Sequence, residues 1–133
     1  VKAGMKQLNF YQEFQSEAEL IKTNFLTFLI DKKKKGKTVV AYGAAAKGST
    51  MLNFCGVRQD LLAFVIDKNP AKQGKYMPGS RIPIKGEKDI SIFKPDYVVI
   101  LPWNLKKEVI NQLDYIRKWG GQFVITTPKI ELL

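Results

Sequence analysis

Thr38-Val39-Val40-Ala41-Tyr42-Gly43-Ala44-Ala45-Ala46-Lys47-Gly48 joins an apolar, β-branched run to a glycine turn. The run reads as a buried strand. The turn has the spacing of G-x-G-x-x-G, with Ala45 at the middle position, and it leads into a helix expected from about Ser49 to Phe54. In that motif the first glycine makes a tight turn, the second lets a pyrophosphate approach the backbone, and the third lets helix and strand pack closely. The start of the helix then offers free N–H groups and a partial positive charge to an anion. The Ala45 methyl stands where a phosphate would pass, so a ligand is expected a little farther out.

The pattern of strand and helix continues on both sides. Leu62-Ala63-Phe64-Val65-Ile66 is a second buried strand, ending at Asp67, where an acid can take the ribose hydroxyls of a dinucleotide. Residues 68–79 carry Pro70, Gly74, Pro78 and Gly79 and read as a loop. Arg81-Ile82-Pro83-Ile84 is a short edge strand, since Pro83 has no N–H for a ladder. Asp96 to Leu101 is a strong strand stopped by Pro102, Leu105 to Trp119 is a helix stopped by Gly120-Gly121, and Gln122 to Thr126 is the last strand. Upstream, Leu20, Ile21, Phe25, Phe28 and Leu29 recur at helical spacing within about Leu8 to Asp31.

Strands alternating with helices predict an α/β, Rossmann-like three-layer domain. Its sheet is expected to be mostly parallel and five-stranded, in the order 3-2-1-4-5, preceded by the N-terminal helix. Residues 1–133 are expected to form one domain, with helix and lysine-rich connector over 1–36 and the sheet core over 37–133. Ligands of such sheets bind where the strand order reverses, here beyond strands one and four. Strand four delivers Trp103, which can stack on a base or sugar or pack on a neighbouring domain, and Asn104, which can hydrogen-bond hydroxyls. Lys47, Lys72 and Lys75 are candidates to neutralise phosphate.

Composition narrows the chemistry. Cys55 is the single cysteine and there is no histidine. A Cys/His zinc site, a Ser-His-Asp triad and a Cys-His pair are excluded on these counts. Cys55 itself reads as a small buried helix residue. The longest apolar runs fall well short of the roughly 20 residues that cross a bilayer. No signal peptide is evident, so a cytoplasmic protein is expected, and Val1 in place of Met fits either a piece cut from a longer chain or a trimmed N-terminus. The net charge of +10 raises nucleic acid as a partner. Lys32-Lys33-Lys34-Lys35-Gly36-Lys37 carries much of it without interleaved aromatics, and the arginines stand apart at 58, 81 and 117, so nucleic acid is disfavoured. Gly43-x4-Gly48-Ser49 lacks the lysine that a phosphate-binding Walker loop needs after its second glycine. From the residues alone, a free-standing module for NAD or coenzyme A stays open beside a substrate-binding domain.

Tyr42-Gly43-Ala44-Ala45-Ala46-Lys47-Gly48-Ser49-Thr50 resembles the signature of the C-terminal domain of sugar C-methyltransferases. The resemblance extends through Val65-Ile66-Asp67-Lys68-Asn69-Pro70, Lys72-Gln73-Gly74-Lys75-Tyr76-Met77-Pro78-Gly79, Ile82-Pro83-Ile84, Lys94-Pro95-Asp96-Tyr97, Leu101-Pro102-Trp103-Asn104-Leu105 and Trp119-Gly120-Gly121. It implies a parent enzyme with a zinc-binding domain, a domain for S-adenosylmethionine, and this domain, which helps to hold a nucleotide-linked sugar. That enzyme would remove a proton beside a sugar carbonyl and methylate the resulting carbanion. The catalytic residues, the zinc and the methyl donor would lie outside this fragment, which is expected to bind no cofactor of its own. By position, Gly43, Ala44, Ala45, Lys47 and Gly48 would face the ligand's phosphates. Asp67 and Asn69 would lie near its nucleoside or sugar, and Tyr76, Trp103 and Asn104 would line the pocket.

Overall fold

The computed structural model describes residues 2–126 and 130–133, with side chains from residue 16 onward. The elements run α1 (Lys2–Lys34), β1 (Val39–Tyr42), α2 (Ala46–Cys55), β2 (Val65–Ile66), β3 (Ile84–Lys85), α3 (Lys88–Phe93), β4 (Tyr97–Ile100), α4 (Lys106–Gln112), β5 (Gln122–Ile125) and β6 (Glu131–Leu132). Two 3-10 segments, Trp103–Leu105 and Asp114–Trp119, flank α4.

The sheet order is β3-β2-β1-β4-β5-β6. The pairs from β3 to β5 are parallel, in the expected order 3-2-1-4-5. The expected count of five strands is corrected to six. β6 pairs antiparallel with β5, Val124 opposite Leu132 and Ile125 opposite Glu131. It covers an edge that would otherwise present unpaired N–H and C=O groups. Glu131-Leu132 is too short and too exposed to show strand alternation in the sequence.

β1 lies at the centre because Val39, Val40 and Ala41 can be buried on both faces. Neighbouring strand residues point to opposite faces. Ala41, Val65, Val99 and Val124 meet Phe25 and Leu29 of α1 and Leu52 and Cys55 of α2. Val40, Ile66, Val98, Ile100 and Phe123 meet Ile90 of α3, Val109 of α4, and Leu113 and Ile116 beyond it.

Several boundaries differ from expectation for local reasons. α1 continues through Lys34, so the first lysines of the supposed connector are its last turn, where cations suit the C-terminal dipole. Lys32 lies over the rings of Phe28 and Tyr97, at 5.4 and 5.1 Å from their centroids. α2 starts at Ala46, three residues before the expected Ser49, because Ala45 is still extended at φ −92° and ψ 167°. The helix expected over 105–119 breaks at Leu113 into α and 3-10 parts. Leu113 and Ile116 are three apart and both fully buried, a spacing that a 3-10 turn places on one side.

Candidate functional site

β1 and β4 are adjacent, Tyr42 opposite Ile100, and their C-terminal ends open onto a cleft of about 630 Å3. From the β1 side come Gly43, Ala45, Lys47 and Gly48; from the β4 side come Leu101, Pro102, Trp103 and Asn104. This is the place where the strand order reverses, as expected of ligand sites in such sheets. Six of the ten residues singled out from the sequence therefore share one cleft.

The close approach of the two strand ends explains both glycines. Gly43 has φ +104°, and a Cβ there would lie 2.6 Å from Pro102 Cδ. A Cβ on Gly48 would lie 2.9 Å from Leu101 Cδ1 and 3.1 Å from the Gly43 carbonyl oxygen. The glycines let the β4 turn and the start of α2 pack against each other. The first helical hydrogen bond of α2 runs from Ser49 N–H to the Ala45 carbonyl at 3.0 Å. The N–H groups of Ala45, Ala46, Lys47 and Gly48 have no backbone acceptor among the described residues. Among the described residues, Lys47 is the one charged residue on the cleft wall. Free N–H groups, the helix dipole and one lysine make this end of the cleft electropositive.

The opposite wall is apolar. Ala18 and Ile21 of α1 face Met51, Phe54 and Cys55 of α2. Trp103 and Phe54 are about half exposed, at 49% and 43%. Lys22 stands over the Phe54 ring at 5.6 Å from its centroid. Burial pushes the Cys55 thiol above its ordinary pKa, so it is a packed residue rather than a ready thiolate.

Ala44 faces away from the cleft. Its N–H donates to Asp67 Oδ2 at 2.9 Å, and its carbonyl accepts from Lys72 Nζ at 3.0 Å. The other Asp67 oxygen, Oδ1, accepts from the Asn69 N–H at 2.8 Å. Asn69 Oδ1 in turn accepts from the Ala71 N–H at 3.0 Å. Asp67 and Asn69 lie in the loop behind the glycine turn rather than on the cleft wall. Tyr76 is exposed and bridges to Pro83; with Lys75 it lines a separate groove over β3.

Residues 1–128 match the family described as the C-methyltransferase C-terminal domain. The chain belongs to that family. The C-methyltransferase NovU of Streptomyces niveus is 34% identical over 126 residues, which are 95% of this chain and 30% of NovU. The chain thus spans about a third of the length of that relative.

In this C-terminal domain, sequence reading missed the apolar wall. Lys47, Thr50, Met51 and Phe54 repeat at helical spacing and form one face of α2, a signal present in the sequence. Ala18 and Ile21 were not recoverable that way, since α1 reads as a helix whose whole stripe enters the core. No group of three or more His, Cys, Asp or Glu among the described residues could hold a metal ion. No described helix is long and apolar enough to cross a membrane.

Proposed function

We propose that this Rossmann-like domain, formed by residues 1–133 as one unit, holds the nucleotide-linked sugar substrate of an S-adenosylmethionine-dependent C-methyltransferase. The carrying observation is the two-ended cleft at the reversal of strand order. Its electropositive end suits a diphosphate, and its apolar end, with Trp103, suits a base or a deoxysugar face. Asn104 supplies a donor and an acceptor for hydroxyls beside Trp103. The described residues do not fit a zinc site. In this reading zinc and the methyl donor belong to other parts of the enzyme. Deprotonation beside the sugar carbonyl and methyl transfer also take place there, while this domain orients the substrate.

The family match and the relative's printed activity, C-methyltransferase, support this reading over a free-standing NAD module.

Calorimetric titration of the complete protein with a thymidine diphosphate sugar, beside NAD and coenzyme A at matched salt, tests it. Binding of the sugar nucleotide alone, weakened at least tenfold by Trp103→Ala, is the expected result. Binding of NAD or coenzyme A in its place, or of none of the three, overturns it. Methyl transfer by these 133 residues alone would also overturn it.

A further inference from the structure

Ala44 is the one residue of the glycine turn whose N–H and C=O are both held by side chains of a distant loop. We propose that Asp67 and Lys72 are positioning residues that set the two peptide planes of this turn and so aim its N–H groups into the cleft. The proposal rests on the substrate-holding reading above.

A trans peptide points its N–H and C=O in opposite directions. Asp67 holds the Ala44 N–H, so the Gly43 carbonyl is directed the other way. That agrees with its place beside Gly48, where a Cβ would approach it to 3.1 Å. Lys72 holds the Ala44 carbonyl, so the Ala45 N–H is directed away from Lys72. That is the side on which Ala45, and not Ala44, lines the cleft. The side chains act in concert because one loop carries both. Asp67 Oδ1 and the Asn69 N–H close its first turn. Gln73 Nε2 donates to the Asp67 carbonyl at 2.9 Å, and the Gly74 N–H donates to the Ile84 carbonyl at 2.9 Å. The loop is therefore anchored on the edge strand β3, and the clamp passes that anchorage to the turn.

Without the clamp the turn keeps its covalent reach but loses its orientation. The Gly43 N–H is tied to the Ile66 carbonyl at 2.8 Å, but glycine has no Cβ to fix the ψ that follows it, and Ala45 has no side-chain cap. Asp67→Asn places an NH2 group against one of the two N–H donors, and Lys72→Met removes the other tie while keeping the apolar stem.

The experiment combines amide hydrogen exchange with titration of the complete protein by thymidine diphosphate. In Asp67→Asn the Ala44 amide should exchange at least tenfold faster while Val40 and Tyr42 of β1 keep their protection. In Asp67→Asn and in Lys72→Met affinity should fall at least tenfold, and Lys72→Arg should restore most of it. Lys72→Met, at a half-buried position, decides the matter if Asp67→Asn does not fold. Equal affinity of the variants and the unaltered protein overturns the positioning role and leaves the substrate-holding reading intact. Faster exchange throughout β1 also overturns it, because the pair would then only hold the fold. No binding by the unaltered protein overturns both readings.

Discussion

At Gly43 a side chain would meet two obstacles: φ of +104° and a Pro102 Cδ only 2.6 Å from the Cβ position. Gly43→Ala should therefore destabilise the domain by about 2–3 kcal/mol, read from the urea midpoint. At Gly48 the backbone is ordinary and only space is short, 2.9 Å to Leu101 Cδ1. The terminal methyl of Leu101 can shift, but the Gly43 carbonyl oxygen at 3.1 Å and Leu101 Cβ at 3.2 Å yield less, so Gly48→Ala should cost about 1–2 kcal/mol, and Gly48→Val more. Tyr115 makes a residue-scale prediction in pH. Burial, and then the Glu87 carboxylate whose Oε1 lies 3.3 Å from its hydroxyl, push its pKa from 10.0 up to about 12. The folded state therefore holds this proton more tightly than the unfolded chain. Its stabilisation is complete below pH 10 and is lost as the pH rises towards 12. Tyr115→Phe should flatten that part of the stability profile, measured by urea unfolding across the alkaline range, and cost about 1 kcal/mol at neutral pH.

At the scale of elements, α1 shows how far periodicity reaches. Leu20, Ile21, Phe25, Phe28 and Leu29 share a helical spacing, yet their environments differ. Phe25 and Leu29 are fully buried, Ile21 lines the cleft, and Leu20 is 60% exposed. Phe25→Ala should cost about 3–5 kcal/mol in thermal or urea unfolding, while Leu20→Ala should change stability by less than about 0.5 kcal/mol. A stripe names the side of the helix that faces inward. Where the stripe leaves the sheet and passes over the cleft depends on the neighbouring helix, α2. The break in α4 and the pairing of β6 have the same origin. Each satisfies a partner that is remote in sequence: the sheet face under Leu113 and Ile116, and the open edge of β5.

For the whole molecule, the two ends of the sheet have separate work. At the N-terminal ends of β1 and β4, Asp96 Oδ2 accepts from the Thr38 N–H at 2.8 Å and from Thr38 Oγ1 at 3.2 Å. The Asp96 N–H returns a bond to Thr38 Oγ1 at 3.1 Å. The cleft lies at the opposite ends of these strands, about 13 Å away for four residues. Asp96→Ala should lower stability by about 2–3 kcal/mol, read from the urea midpoint, yet leave affinity for thymidine diphosphate within twofold in calorimetry. By itself the sequence determined the α/β class, the strand–turn–helix unit at Gly43, the order of the first five strands, and the meeting of Trp103 and Asn104 with the glycine turn. These follow from local patterns, periodicity, glycine and proline positions, and from the few ways in which parallel strands connect. Only the tertiary structure decided that Asp67 and Lys72 grip Ala44 from behind, that α1 helps to wall the cleft, and that a sixth strand closes the edge. In each case a donor, an acceptor or an apolar face meets a partner remote in sequence, and no local pattern encodes which partner is in reach.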